Sequence, residues 1–395
     1  MAISNKIKLV VGLAFNKLAD LLVSPKTTLP ALLITLGAPS WMVGWLVPIR
    51  ESGALLPQAG IGVILRRYSA RHHVWRIGMA VQISAVCSMV AASMMLTSAT
   101  AGWVVLGALA ALSLGRSACS LTFKDIEADI APKGERGRLI GIASTASGVV
   151  TLLVAVPLVY FQDKLGDSVA IGLLGLAALS FITTFLIILP VKTYVDIDTP
   201  TANSDKTRFW QFDSVVYRFV LVRGLFVHSA LVAPYFMLES DYGAQALLPL
   251  YLAAQAAATM LSSFFWGTVS DKSARLTLQL AGALAILACV GLLLMDATSL
   301  WLSAALFFVL SIAHAGVRTG RKTYSLDVKS GQDRTELVAF SNTAIGIILL
   351  GFGAMYAALA PLISFSVVYI MTAFLALGIV LSFILPGEKQ DNSQV

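Results

Sequence analysis

Charge is scarce in this chain. Of its 395 residues only 12% are Asp, Glu, Lys or Arg, while 57% are hydrophobic, and a single water-soluble core of this composition would leave too little polar surface to cover it. Cysteine is scarce as well. Cys87, Cys119 and Cys289 each fall inside an apolar run and stand far apart, which excludes a disulfide framework and gives no close spacing for a metal site. A cleavable leader is not expected: the basic MAISNKIK leads into an apolar run, but Lys17 and Asp20 interrupt it and no small-residue cleavage site ends it, so the run reads as a retained first helix. The formal net charge of +7 does not gather into one basic patch, so nucleic acid is not the expected partner. The cations recur instead in short clusters between apolar runs.

What is present is a series of apolar segments near the roughly 20 residues that a helix needs to cross a bilayer. They fall at 9–36, 41–65, 75–97, 102–124, 138–161 and 168–191, then at 215–238, 244–268, 276–295, 299–321, 337–361 and 364–386. The expected fold class is therefore an all-α integral membrane protein with twelve transmembrane helices. Arg66, Arg67, Arg71 and Arg76 occupy one turn, and alternate later turns carry Lys133, Arg136 and Arg138, then Lys272 and Arg275, then Lys329 and Arg334. The opposite turns hold almost none, which places both termini in the cytoplasm and the chain in a cytoplasmic (bacterial inner) membrane. Trp75, Trp210 and Trp266 at the inner ends, with Trp41, Trp103 and Trp301 at the outer ends, are placed as an aromatic belt would be.

The chain also repeats itself. At an offset of 198, Lys124 to Gly148 matches Lys322 to Gly346 at Lys124/Lys322, Asp129/Asp327, Arg136/Arg334, Leu139/Leu337, Thr145/Thr343, Ala146/Ala344 and Gly148/Gly346. A polar junction repeated at half the chain length indicates two copies of one membrane unit. The expected organisation is an N-terminal six-helix bundle at 1–191, a polar cytoplasmic linker at 192–214, a C-terminal six-helix bundle at 215–387 and a polar, disordered tail at 388–395.

After the eighth span the chain reads Gly267-Thr-Val-Ser-Asp271-Lys272-Ser-Ala-Arg275. Glycine, aspartate four residues on, a base, and arginine four residues on again resembles the loop signature of the major facilitator superfamily (MFS). The twelve spans, central linker and half-to-half echo resemble that family too, over nearly the whole chain. The resemblance implies two pseudo-symmetric six-helix bundles and secondary transport by alternating access, with Arg71, Asp129, Asp271, Arg275 and Asp327 as cytoplasmic gating latches. Arg275 would pair with Asp327 and, by the repeat, Arg71 with Asp129. The first-half copy departs from the signature, with Arg67 where Asp271 stands and Val63 where Gly267 stands.

Ionisable groups deep in a span are costly unless they meet a partner or a cavity. Asn16, Lys17, Asp20, Ser24 and Thr27 form a polar stripe on one helical face, and Pro25 allows a kink there. Arg50 and Glu51 sit midway along the second span but point about 100° apart, so each needs its own partner. Arg116 is central to the fourth span, with His314 at its repeat position, and the seventh span adds Arg223 and His228. Lys17, Asp20, Arg50, Glu51, Arg116, Arg223 and His228 are the candidate solute- and ion-binding residues, although for His228 a helix-packing role is the competing reading. Counting Lys26 as well, the deep bases outnumber Asp20 and Glu51, which favours an anionic or zwitterionic solute. Protonation of Glu51 or Asp20 would couple its movement to protons.

The expected function is thus proton-coupled secondary transport of a small solute by a monomer in contact with membrane lipid, without metal or cofactor and without enzyme activity. Two alternatives share the fold: a proton-driven multidrug or cation exporter, and a non-transporting sensor or assembly factor. An enzyme reading was weighed on Asp125, Glu127 and Asp129, which resemble the acidic cluster of membrane prenyltransferases. It fails on the repeat copy, which reads Thr323, Ser325 and Asp327.

Overall fold

The computed structural model describes residues 5–65, 68–130, 136–161, 166, 168–194, 214–294, 299–327 and 331–386. Among them the chain is a series of helices without a named strand. The first six spans are built from α1 (Asn5–Leu22) and α2 (Thr28–Thr35); α3 (Ser40–Gly44), α4 (Leu46–Leu55) and α5 (Pro57–Leu65); α6 (Arg71–Met95); α7 (Ser98–Ile130); α8 (Arg136–Tyr160); and α9 (Val169–Ile188). The second six are α10 (Ser214–Phe226), α11 (His228–Leu231) and α12 (Tyr235–Leu238); α13 (Ala244–Lys272); α14 (Ala274–Leu294); α15 (Leu300–Asp327); α16 (Gly331–Leu359); and α17 (Val367–Ser382). Nine helices among the described residues are long and apolar enough to cross a membrane. The first, second and last spans are the exceptions. The first two are broken or charged, and α17 has 16 residues.

The first, second and seventh spans are interrupted where proline sits. Pro25 follows the end of α1, Pro57 opens α5 at the position where its missing N–H costs nothing, and Pro234 immediately precedes α12. The sequence anticipated the first of these breaks and not the other two. Pro157 and Pro249, by contrast, lie inside continuous helices.

Within the first half α6 and α7 approach closely enough for backbone to meet backbone. A Cβ on Gly115 would lie 2.6 Å from the Gly78 carbonyl oxygen, and one on Gly78 would lie 2.8 Å from that of Gly115. Small residues at a crossing are what membrane helices use where lipid removes the hydrophobic drive to associate. The halves meet along two seams that the 198-residue echo relates. Gly148 of α8 faces Met260 of α13, while its repeat partner Gly346 of α16 faces Leu56 after α4. Ser52 seals the second seam by donating to the Gly346 carbonyl at 2.9 Å.

Further inter-half packing runs through α2 on α13, and through α3 and α4 on α16. Of these, α2 and α3 lie toward the end of the bundle away from the termini, and α4 continues to the middle of its span. At the opposite end α5 packs on α7 and α4 of its own half. Among the described residues the bundles are thus drawn together toward that end.

The aromatic belt holds at one end only. Trp103 and Trp301 are 61% and 62% exposed, as membrane-facing anchors would be. Trp75 and Trp266 are core residues instead: Trp75 stacks on Phe185, and Trp266 Nε1 donates to the Ile312 carbonyl at 2.8 Å. Each indole fills a gap between helices, where its area is better buried, and the N–H of Trp266 finds a partner there. Trp210, most of the 192–214 linker, the 388–395 tail and the cations Arg66, Arg67, Lys133 and Lys329 lie outside the described residues, as do the side chains of Arg136, Arg138 and Arg334.

Candidate functional site

The polar stripe of the first span is divided between two tasks. Asp20, near the end of α1, accepts from Arg50 Nη2 of α4 at 2.9 Å and from Arg116 Nη1 of α7 in a second, very close ion pair. One carboxylate thus joins three helices of the first half. With side-chain exposures of 18% for Asp20, 13% for Arg50 and 31% for Arg116, the cluster is shielded enough for its ion pairs to matter. Lys17, one turn earlier, lines a cavity with Asn16, Arg116 and Phe123 that holds about 600 Å³ of space, its open mouth included.

Ser24 and Thr27, at the break of the same span, donate to Gln255 Oε1 of α13 at 3.0 and 3.3 Å. The stripe therefore continues across to the second half.

A second cavity, of about 450 Å³ with its mouth, has a different balance. Glu51 faces Arg223, His314, Arg318 and Arg321 across it. Lys26, Arg321, Arg50 and Arg318 all lie within electrostatic reach of the Glu51 carboxylate. Arg223 is 8% exposed; its Nη1 donates to Ser341 Oγ at 2.8 Å and its Nη2 to Asn342 Oδ1 at 2.9 Å, while its Nε has no partner. His314, the repeat counterpart of Arg116, meets Ser229 Oγ at 3.3 Å.

Of the candidate binding residues, Asp20, Arg50 and Arg116 come together, Lys17 stands beside them, and Glu51 and Arg223 share the second cavity. His228 does not join either group. It is fully buried, Nδ1 contacts the Leu225 carbonyl at 2.7 Å, and its ring lies against Phe374, Phe352 and Tyr356. The break between α10 and α11 turns the ring into the aromatic core, so it packs helices and does not line the cavity.

The expected latch between Arg71 and Asp129 also takes another form. Arg71 Nε pairs with Asp125 at 3.0 Å, and Asp129 accepts from Thr193 Oγ1 at 3.1 Å. Because α7 stays helical to Ile130, Asp125 and Asp129 stand one turn apart on one face, and Arg71 at the start of α6 reaches the nearer. Its Nη1 also donates to the Leu65 and Tyr68 carbonyls, tying the turn into α6. In the second half Asp271 is exposed and Arg275 Nη1 donates to the Leu385 carbonyl at 3.1 Å. The side chain of Asp327 lies outside the described residues.

Sequence reading passed over Arg318, Arg321, Gln255, Ser341 and Asn342. Arg318 and Arg321 did carry a signal, at four and seven residues beyond His314 on one helical face. With the tenth span drawn to end at 321 they looked like terminal charges, whereas α15 runs to Asp327 and leaves them within it. No signal marked Gln255, whose partners lie in the other half.

These features define a helical membrane protein of two six-helix bundles around a charged interior, and the chain has the major facilitator fold. No family model matches its sequence, and no curated protein sequence does. Solved structures match over nearly the full length: the xylose transporter XylE from E. coli in an inward-open conformation (15% identity, TM-score 0.68, covering 98% of this chain and 97% of that one), a POT family transporter in complex with 5-aminolevulinic acid (10%, 0.70, 96% and 95%), and the nucleoside transporter NupG (12%, 0.67, 97% and 98%).

Proposed function

We propose that the protein is a secondary active transporter that carries a small anionic or zwitterionic solute across the cytoplasmic membrane by alternating access between its two bundles, with both termini cytoplasmic and the monomer as the working unit. The observation that carries this reading is the second cavity, where Arg223, Arg318 and Arg321 gather with Glu51 and Lys26 stands within electrostatic reach of its carboxylate. Cations held in a poorly solvated chamber gain most from a bound anion. The same crowd of cations speaks against a cation exporter. A scaffold that moves nothing would have little use for charges at such depth. The neighbours of this fold, among them xylose, nucleoside and POT family transporters, support transport in general and differ in what they carry.

Alternating access is supported by the seams at Gly148 and Gly346 and by the closure through α2, α3 and α4 toward the end away from the termini. With the termini cytoplasmic, that packing supports a state open to the inside. Proton coupling is supported by the placement of Glu51, because the cations in its field are those a solute anion would engage. Solute binding and protonation of Glu51 then favour each other. Arg71, Asp129, Asp271, Arg275 and Asp327 are proposed to steady the cytoplasmic ends during the cycle, with Asp125 as the partner of Arg71.

The test is the thermal stability of the detergent-purified protein against anionic, zwitterionic and cationic metabolites. A ligand at 100 times its dissociation constant stabilises by about 2.7 kcal/mol, enough to shift the melting point visibly. Stabilisation by lipophilic cations alone would overturn the reading.

A further inference from the structure

The two cavities differ in how their charge is balanced, and the difference bears on the valence of the solute. In the first half Asp20 binds both Arg50 and Arg116, so two of three cations there already share a carboxylate. In the second cavity the acid is Glu51, and it is within reach of Lys26, Arg318 and Arg321, while Arg223 also acts in its field. None of these four cations forms an ion pair with Glu51 close enough to count as a direct contact. Arg223, more than nine-tenths buried, satisfies its two terminal nitrogens on neutral oxygens of Ser341 and Asn342 and keeps Nε unpaired. Arg318 is exposed where it lines the cavity. Three formal positive charges thus line the cavity against one negative charge, with Lys26 in the same field and a buried guanidinium N–H still to be met.

We infer that this cavity is a site for a dianionic group, a phosphate monoester or a dicarboxylate, which engages Arg223, Arg318 and Arg321 in the field of Lys26, and that Glu51 is the internal carboxylate it displaces. A monoanion would leave positive charge uncompensated. A dianion cancels the net charge of the three lining cations and Glu51 without adding a counter-ion. Glu51 occupies the same field as the solute and holds the cations in place while the site is empty. This inference rests on the anionic-solute reading above and narrows it.

The experiment uses the full chain in detergent at constant ionic strength, with melting points recorded against propionate, succinate, glycerol phosphate and betaine. Succinate or glycerol phosphate is expected to raise the melting point where propionate at the same concentration does not, and the stronger of the two identifies the source of the dianion. Arg318→Gln and Arg321→Gln should each abolish the shift. Glu51→Gln should act in the opposite direction, lowering the half-saturating concentration of the effective dianion about tenfold, the response to losing about 1.4 kcal/mol of internal competition. A gain in affinity cannot be produced by a folding defect, so this variant decides the matter even where the arginine variants fold poorly. If propionate or betaine stabilises as well as either dianion, the valence inference is wrong while the anionic or zwitterionic reading survives. If no anion or zwitterion stabilises the wild type and a lipophilic cation does, both fall. Weaker dianion binding by Glu51→Gln would remove the displacement role.

Discussion

The two halves of this molecule carry one junction twice, 198 residues apart, yet they handle buried charge in opposite ways. In the first half Asp20 gathers Arg50 and Arg116 into a closed cluster across α1, α4 and α7. In the second half the position equivalent to Arg116 is His314, Arg223 leans on a serine and an asparagine, and Arg318 and Arg321 point at a carboxylate borrowed from the first half. A satisfied cluster holds helices together. An unsatisfied one is what the proposed solute would meet. Pseudo-symmetry thus preserved the backbone and the seams and left the charges free to specialise.

The sharpest way to break the comparison is Asp20→Asn. Removing one partner of a buried charge cluster costs about 3–5 kcal/mol, and the 31% exposure of Arg116 puts this case near about 3 kcal/mol. The unfolding midpoint should fall accordingly, and adding Arg116→Gln should recover part of the loss. A variant that melts with the wild type would show that the cluster contributes nothing to holding the first half together.

The seams give a second comparison. Gly346→Ala would place its Cβ 2.6 Å from Leu56 Cγ, and Gly148→Ala would place its own 2.5 Å from Met260 Cγ. Overpacking costs about 1–3 kcal/mol, but methionine yields more readily than leucine. The loss in melting temperature should therefore be clearly larger for Gly346→Ala, and equal losses would show that the two seams are equally rigid.

Gln255→Ala removes the acceptor for Ser24 and Thr27, a loss of about 1 kcal/mol at the closed end. In a background with the three native cysteines replaced by serine, a cysteine at the buried position Thr28 of α2 should then react faster with a water-soluble thiol reagent. Unchanged reactivity would mean that the outer closure does not depend on these bonds.

The smallest effect has the opposite sign. Arg321→Gln should raise the melting point of the ligand-free protein slightly, by about 0.5 kcal/mol, because Arg318 and Arg321 are like charges one turn apart on α15. A loss as large as that of Asp20→Asn would mean that the second cluster is structural and that the contrast between the halves is false.

The twelve spans, their approximate limits and the internal repeat were legible in the sequence because a bilayer demands long apolar runs with satisfied backbones, and that demand is written residue by residue. The polar stripe of the first span and the depth of Arg50, Glu51, Arg116 and Arg223 were legible for the same reason. Which charges meet was not. Asp20 lies 30 residues from Arg50 and 96 from Arg116, and helical periodicity reports the face a residue occupies on its own helix without saying which helix lies opposite. The same ignorance assigned Arg71 to Asp129 where the continuing helix presents Asp125, set His228 in the cavity where the broken seventh span turns it into the aromatic core, and passed over Arg318, Arg321 and Gln255. Local chemistry determined that this chain would be a bundle of membrane helices carrying charge at depth. Only the packing of those helices decided which charges cancel and which remain to meet a ligand, because pairing energies fall with distance in three dimensions and not with separation along the chain.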